Sequence, residues 1–156
     1  MPLPYIFKRS TIPMKFSISV LIKKSPADVF RNLTNSTKLP EWTQGLQTVR
    51  TIKGRRNQTG SQSKLQFKDG STKFTVDEEV LHYNRHDQFT VYLNHTEMTT
   101  VVDYILKEEN RATLLTANYE IKFKNIISRI FSIFFKSPMR NQQIEDLKKL
   151  KQLVEK

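Results

Sequence analysis

The residues best suited to acid–base chemistry are one carboxylate and two tyrosines on alternating segments. In the segment 72–82, Glu78 shares a face with apolar residues, namely Phe74, Val76 and Val80. A carboxylate buried among apolar neighbours has a raised pKa unless a cation or hydrogen-bond donors compensate, and this is how a general acid or base is tuned. The alternative is a bulge that shifts the register and turns Glu78 to solvent or towards a cross-strand lysine.

The two tyrosines are placed by the polarity of their neighbours. Tyr104 lies on the same face as Met98 and Thr100 in the segment 97–107, and Tyr119 lies on the apolar face of the next segment. Alternation therefore predicts that both tyrosines point to the interior. Buried tyrosines more often serve as core aromatics with a hydrogen-bonded hydroxyl than as catalysts, so both roles stay open.

Other catalytic and ligand-holding patterns are missing from the sequence. It contains no nucleophile elbow, no dinucleotide fingerprint and no cysteine. His82, His86 and His95 fall in or beside predicted turns without a third ligand at metal-site spacing, so we expect no metal and no cofactor. The segment 54–60, GRRNQTG, could hold an anion, but it lacks the ending of a nucleotide-binding loop and indicates a basic hairpin turn. An enzymatic activity would depend on Glu78 and the tyrosines alone.

The elements that position these side chains follow from periodicity and turn residues. Residues 15–23 alternate with period two. Ser25 followed by Pro26 predicts a short helix over 26–33, and a second short helix is expected near 36–41. Turn residues then divide the chain into six predicted strands: 45–53, 61–67, 72–82, 88–93, 97–107 and 111–123.

The last segment has helical periodicity in two parts, which Pro138 separates. One apolar stripe contains Ile126, Ile130 and Phe134. The other stripe consists of Met139, Leu147, Leu150 and Val154. Proline costs about 3 kcal/mol inside a helix, so we predict a break or a kink there, with Ser137 as the cap of a second helix in the case of a break.

The stretch from Lys15 to Trp42 resembles the opening of the START-like superfamily, which includes Bet v 1, polyketide cyclases and coenzyme Q carriers. The resemblance lies in the alternating strand, in SPADVF at 25–30 and in LPEW at 39–42. It implies an α+β helix-grip fold, a curved antiparallel sheet of about seven strands around a long C-terminal helix, with two short helices after the first strand. It covers residues 14–156 as one domain. Residues 1–13 are expected to be an N-terminal extension, or the result of a start codon assigned too early.

The resemblance also implies an apolar cavity between the concave face of the sheet and the long helix. The residues expected to line it are Trp42, Phe74, Glu78, Met98, Thr100, Tyr104, Tyr119, Ile130 and Phe134. Glu78 is the one candidate for a catalytic role. Packing alone would also explain the single tryptophan.

Three functions follow as hypotheses. The first is a carrier or sensor of a small hydrophobic ligand (lipid, quinone or polyketide-like), which the lack of a clear acid–base pair favours. The second is a polyketide cyclase or dehydratase, an enzyme of the lyase or isomerase type. The third is an interaction module that uses its basic surface for anionic lipid or RNA. Nucleic acid is the weaker partner, because the aromatic residues fall mostly on inward faces or on the last helix.

Charge and composition limit the cellular locations and the binding partners to be expected. The net charge is +11, with 11 basic and 2 acidic groups in residues 1–60 and 10 basic and 4 acidic groups in residues 111–156. This balance favours attraction to anionic surfaces, including peripheral contact with an anionic membrane. The most apolar stretch, 126–135, is too short to span a bilayer, which takes about 20 residues. Without cysteines or a secretory signal, the chain is expected to be cytoplasmic.

Overall fold

A computed structural model describes residues 13–156, except for the side chains of 126–129, 131–133 and 135. The elements are β1 (Met14–Ile22), α1 (Pro26–Thr34), α2 (Leu39–Trp42), β2 (Leu46–Lys53), β3 (Gln62–Asp69), β4 (Thr72–Asn84), β5 (Gln88–Asn94), β6 (Met98–Glu109), β7 (Ala112–Phe123) and α3 (Ile126–Glu155). All six strands expected after the short helices are present, with slightly shifted ends. No helix in the described part of the chain is long and apolar enough to cross a membrane.

The strands form one antiparallel seven-stranded sheet in the order β1-β7-β6-β5-β4-β3-β2. From β2 to β7 each strand pairs with the next through a short connection, whereas β1 pairs with β7 and α1 and α2 make the crossing to β2. Period-two alternation places one face of the sheet inside. On that face Phe16 of β1 stacks on Tyr119 of β7, with ring centroids 4.7 Å apart. The helix-grip arrangement implied by the resemblance is therefore confirmed.

The first short helix begins where its sequence predicted. Ser25 Oγ accepts a hydrogen bond from the backbone N–H of Asp28 at 3.2 Å, and Pro26 occupies the first turn. The second short helix begins later than expected, at Leu39. Asn35 delays it, because its side-chain oxygen accepts from the backbone N–H of Thr37 at 3.0 Å and closes a turn of its own.

The long helix α3 continues through Pro138, so the expected break with a Ser137 cap does not occur. Proline removes the helical hydrogen bond to the carbonyl four residues earlier, that of Phe134. Both Pro138 and Phe134 are exposed, so water can hydrate the freed carbonyl. The helix therefore tolerates the proline at a solvent-facing position.

Because α3 is one helix, the angle between its two apolar stripes is fixed. At about 100° per residue, Ile130 and Phe134 lie on the side opposite to Met139 and Leu150. The stripe with Leu150 is buried against β1, α1 and α2. Ile130 and Phe134 of the other stripe face outwards, being 61% and 73% exposed, whereas the side chain of Ile126 lies outside the described part of the chain. This corrects the placement of Ile130 and Phe134 in the cavity lining.

Candidate functional site

A cavity of about 580 Å³ lies between the concave face of the sheet, α2 and α3. Its size falls within the usual range for small-molecule sites, and most of the side chains around it are apolar. The structure brings together seven of the residues expected there: Trp42, Phe74, Glu78, Met98, Thr100, Tyr104 and Tyr119. Ile130 and Phe134 do not line it, for the reason given above.

Glu78 is buried in the cavity wall, and its partner is an arginine from a loop. Its side chain is on the inward face of β4 and is only 4% exposed. Arg56 Nη1 bonds to one carboxylate oxygen of Glu78, and Nη2 lies 3.3 Å from the other. The register shift in β4 falls between Val80 and His82, beyond Glu78. Neither alternative from the sequence, exposure or a cross-strand lysine, therefore occurs.

Two-point contact with a guanidinium compensates a charge that is costly to bury alone. The loop 54–60 is shaped to supply it and is not a simple surface turn. Gly60 has a φ of 86° and its N–H donates to Val80 O at 2.7 Å, while Ser61 Oγ donates to Arg56 O at 3.3 Å. These bonds hold the loop against β4 with Arg56 turned inward. A loop has no periodicity, so the sequence carried no signal for this burial.

A second buried carboxylate, Asp146 of α3, also lines the cavity and was missed by sequence analysis. It accepts hydrogen bonds from Gln142 Nε2 at 2.9 Å and from the backbone N–H of Gln44 at 3.2 Å. Burial raises the pKa of Asp146, and these two bonds offset only part of the rise. Asp146 is one helical turn before Leu150 on the packed stripe, and that spacing was the available signal.

Tyr104 and Tyr119 are buried on the neighbouring strands β6 and β7. Burial raises the pKa of Tyr104 well above the ordinary value, and a hydrogen bond with Tyr119 opposes part of the rise. Burial likewise raises the pKa of Tyr119, and the nearby Tyr104 adds to it. Tyr119 Oη donates to Gln143 Oε1 at 3.2 Å. Both phenols therefore remain neutral hydrogen-bonding groups near neutral pH.

Among the residues that the structure describes, three buried side-chain polar atoms have no hydrogen-bond partner: Trp42 Nε1, Thr43 Oγ1 and Arg56 Nε. All three residues line the cavity. An unsatisfied buried polar atom costs about 1–3 kcal/mol and is uncommon in native proteins. The indole and guanidinium nitrogens are donors only, so an acceptor oxygen on a molecule in the cavity would satisfy them.

The histidines lie in different parts of the fold. His95 contacts Phe74 edge-on at the cavity, with ring centroids 5.3 Å apart, whereas His86 packs against Phe30 elsewhere. Within residues 13–156 no three His, Asp or Glu side chains form a group that could hold a metal ion. The polar groups of the cavity wall can supply hydrogen bonds, charge and protons.

A curved sheet that grips a long helix over an apolar cavity defines a class of small-molecule-binding domains. This chain belongs to the family described as polyketide cyclase / dehydrase and lipid transport, which matches residues 13–155. The family lies in the START-like superfamily that the first strand and short helices resemble. No curated protein matches the chain.

Solved structures share this fold at low sequence identity. The di-domain ARO/CYC StfQ from the steffimycin biosynthetic pathway has a TM-score of 0.77 and 10% identity, covering 95% of this chain and 52% of its own. A conserved protein from Geobacillus kaustophilus has a TM-score of 0.74 and 13% identity, covering 90% and 95%. Ara h 8.0201 has a TM-score of 0.73 and 9% identity, covering 91% and 97%. At such identities the likeness shows the fold alone.

Proposed function

We propose that this protein binds a small hydrophobic molecule with oxygen acceptors, such as a quinone, a polyketide-like compound or an oxygenated lipid, and acts as its carrier or sensor. The observation that carries the proposal is an apolar cavity of about 580 Å³ with unpartnered donors on Trp42 and Arg56. Burial of apolar ligand surface contributes about 25 cal/mol per Å², and the donors orient the oxygen atoms. The lipid-transport description of the family supports the same conclusion.

Native mass spectrometry of the freshly purified protein, followed by solvent extraction, tests this proposal. We expect a stoichiometric adduct with an apolar body and at least one carbonyl or hydroxyl oxygen. A bound hydrocarbon without acceptors would contradict the argument from the donors. A protein that stays empty after challenge with oxygenated lipids and quinones would contradict the carrier role.

Substitution of Tyr119 tests the orientation of the ligand in the cavity. Tyr119→Phe removes the hydroxyl but keeps the ring that stacks on Phe16. We expect the extracted compound to bind about fivefold more weakly, the equivalent of one hydrogen bond of about 1 kcal/mol. Tyr92→Phe, on the outward face of β5, is the matched control and should leave the affinity unchanged. Equal losses in both variants would contradict the placement of Tyr119 in the ligand site.

A second candidate function is a cyclisation or dehydration, and Asp146 favours it. Its raised pKa lets the carboxyl keep a proton at higher pH than an ordinary aspartate, as a general acid requires. In a dehydration the acid protonates the leaving hydroxyl, a base removes a proton from the adjacent carbon, and water departs. If wild type converts the extracted compound with loss of water and Asp146→Asn does not, the enzyme is favoured; an unchanged compound favours the carrier.

Ligand exchange at an anionic membrane belongs to the same proposal. The apolar side chains of Ile130 and Phe134 are exposed on the outward face of α3, and Lys136 and Arg140 are exposed nearby on the same helix. An exposed apolar face with cationic side chains elsewhere along the same helix is typical of segments that lie in a membrane interface. The net charge of +11 supports this partner. A cytoplasmic location remains the prediction from the sequence.

A further inference from the structure

A second, more open cleft of about 840 Å³ lies outside the cavity, between α1, the β2–β3 loop and the β4–β5 turn. Four arginines from these three elements line it: Arg31, Arg55, Arg56 and Arg85. No Asp or Glu lines this cleft within the part of the chain that the structure describes. The cleft therefore concentrates positive charge from segments that are distant in sequence.

Two of the four arginines are left without a compensating charge. Arg31 and Arg56 have carboxylate partners. Arg55 and Arg85 are exposed and form no ion pair with any residue in 13–156. Like charges that converge on one concave surface repel each other, and an anion bound between them removes the repulsion.

The rest of the cleft provides neutral donors and an aromatic floor. The amides of Asn57 and Gln58 line it beside the arginines. The half-buried rings of Tyr83 and His86 form the floor, and the buried Phe30 supports them through edge contacts, with ring centroids at 5.1 Å and 5.9 Å. His86 has a φ of 70°, a conformation uncommon outside glycine, and this tight turn holds its ring over Phe30.

We propose that this cleft binds the phosphate group of an organic phosphate, with Arg55 and Arg85 as its principal ligands. A guanidinium presents paired donors that match two phosphate oxygens, and such charge-assisted bonds are roughly twice as strong as neutral ones. The cleft is larger than one phosphate group, and the aromatic floor suits an apolar or aromatic remainder. Arg55 and Arg85 do not line the cavity, so the proposed phosphate ligands differ from the groups that face the hydrophobic ligand, and the buried Arg56 lies between the two sites.

Isothermal titration calorimetry with inorganic pyrophosphate at constant ionic strength tests the cleft. Wild type should bind it saturably with one site. Arg55→Gln combined with Arg85→Gln should weaken binding on the order of a hundredfold, about tenfold for each lost guanidinium contact. The matched control, Arg50→Gln with Arg111→Gln, removes the same charge from exposed positions that line neither the cleft nor the cavity and should change the affinity by less than about threefold.

Lysine substitutions separate a built site from general attraction. Arg55→Lys with Arg85→Lys keeps both charges but loses the paired donors, so we expect binding about tenfold weaker than wild type. Equal weakening by the Arg50/Arg111 control and by the Arg55/Arg85 glutamine pair would overturn the proposal. Absence of pyrophosphate binding to wild type would also overturn it. Far-UV circular dichroism checks that each variant is folded.

Vesicles distinguish a lipid headgroup from a soluble phosphate. If vesicles of phosphatidylcholine with phosphatidic acid bind, and pyrophosphate displaces them, the phosphate belongs to a lipid. If pyrophosphate binds and does not displace the vesicles, which the outward face of α3 can also hold, a soluble organic phosphate is the ligand. Both results support the site. Binding of single-stranded RNA that pyrophosphate does not displace, with the Arg55/Arg85 glutamine pair abolishing it, would overturn it in favour of a nucleic-acid surface.

Discussion

Glu78 and Arg56 bring two opposite charges into the cavity wall, where both side chains are buried. Removal of one partner from such a pair commonly costs about 3–5 kcal/mol, because the other charge is left buried alone. Replacement of both partners by apolar side chains of similar volume is often neutral. Each charge therefore needs the other as its buried partner, whether or not a ligand occupies the cavity.

We predict that Glu78→Gln lowers the free energy of unfolding by about 3 kcal/mol, as measured by urea denaturation. The double variant Arg56→Met with Glu78→Met should recover most of this loss. Asp77→Asn is the matched control, since the adjacent Asp77 forms an exposed pair with Lys64 at 2.9 Å, and such pairs contribute at most about 1 kcal/mol. Similar losses for Glu78→Gln and Asp77→Asn would contradict the prediction.

Asp146 should make the stability of the folded protein depend on pH, and the direction of that dependence follows from its raised pKa. Because burial raises its pKa, the folded state binds this proton more tightly than the unfolded chain. Its contribution to stability is fully present below about pH 4, the ordinary aspartate value, and is lost as the pH rises through the raised pKa. At neutral pH the burial of this carboxyl therefore costs stability, because the unfolded chain releases the proton more readily than the folded state does.

We predict that Asp146→Asn raises the melting temperature relative to wild type at neutral pH and changes it little near pH 3.5. The amide oxygen still accepts from the backbone N–H of Gln44, while the amide no longer titrates. Glu145→Gln, at the exposed neighbouring position, is the control and should show no comparable pH dependence. A gain from Asp146→Asn that is equal at both pH values would point to packing and not to titration.

At the scale of elements, the first half of α3 exposes apolar side chains while the second half anchors the helix. Phe134 is 73% exposed, so Phe134→Ser should leave the melting temperature unchanged. It should weaken binding to vesicles of phosphatidylcholine and phosphatidylglycerol on the order of tenfold, because about 1.5–3 kcal/mol of apolar burial is lost. This is measured by vesicle co-sedimentation.

Ile52→Ser on β2 is the matched control for the membrane contact, since Ile52 is 50% exposed on a different part of the surface. It should not change vesicle binding. If both variants bind vesicles equally well, or if Phe134→Ser lowers the melting temperature, the outward face of α3 is not a membrane contact.

The strands were predictable because each follows a period of two between turn residues, and the same pattern assigned Glu78, Tyr104 and Tyr119 to the interior. Arg56 was not predictable, since its burial depends on how the loop 54–60 folds back on β4. Asp146 lies one helical turn before Leu150, but the charged residues around it are typical of a solvated helix face, and this outweighed the spacing. Polar residues buried by tertiary contacts leave little trace in a local pattern.

The long helix shows a different limit of sequence reasoning. Pro138 suggested two helices, and two independent helices could both turn their apolar stripes to the cavity. One continuous helix cannot, because its stripes are about half a turn apart. The error about Ile130 and Phe134 thus followed from a single local assumption about proline.

At the scale of the whole molecule, the expected boundary at residue 14 is open to a direct test. The family match begins at residue 13, and Met14 pairs with Ile121 at the start of β1. Residues 1–12 lie outside the described part of the chain. We predict that deletion of residues 1–13 changes the melting temperature by less than about 2 °C, because β1 and the core lie within 14–156.

A longer deletion, of residues 1–16, provides the control for this boundary. It removes Phe16, which is buried against Tyr119, and loss of a core phenylalanine costs about 3–5 kcal/mol. The melting temperature should then fall by about 10 °C or more in differential scanning calorimetry. Equal falls for both deletions would move the boundary of the domain towards the N-terminus.

Because the chain has a single tryptophan, its intrinsic fluorescence can report on the interior of the protein without a label. Trp42 lines the cavity, and its indole N–H has no partner among the described residues. Indole emission shifts to the blue as its surroundings lose polarity and changes intensity when the N–H gains an acceptor. Every molecule that fills the cavity should therefore alter one emission band, so occupancy and exchange rates can be followed in real time on the unmodified chain.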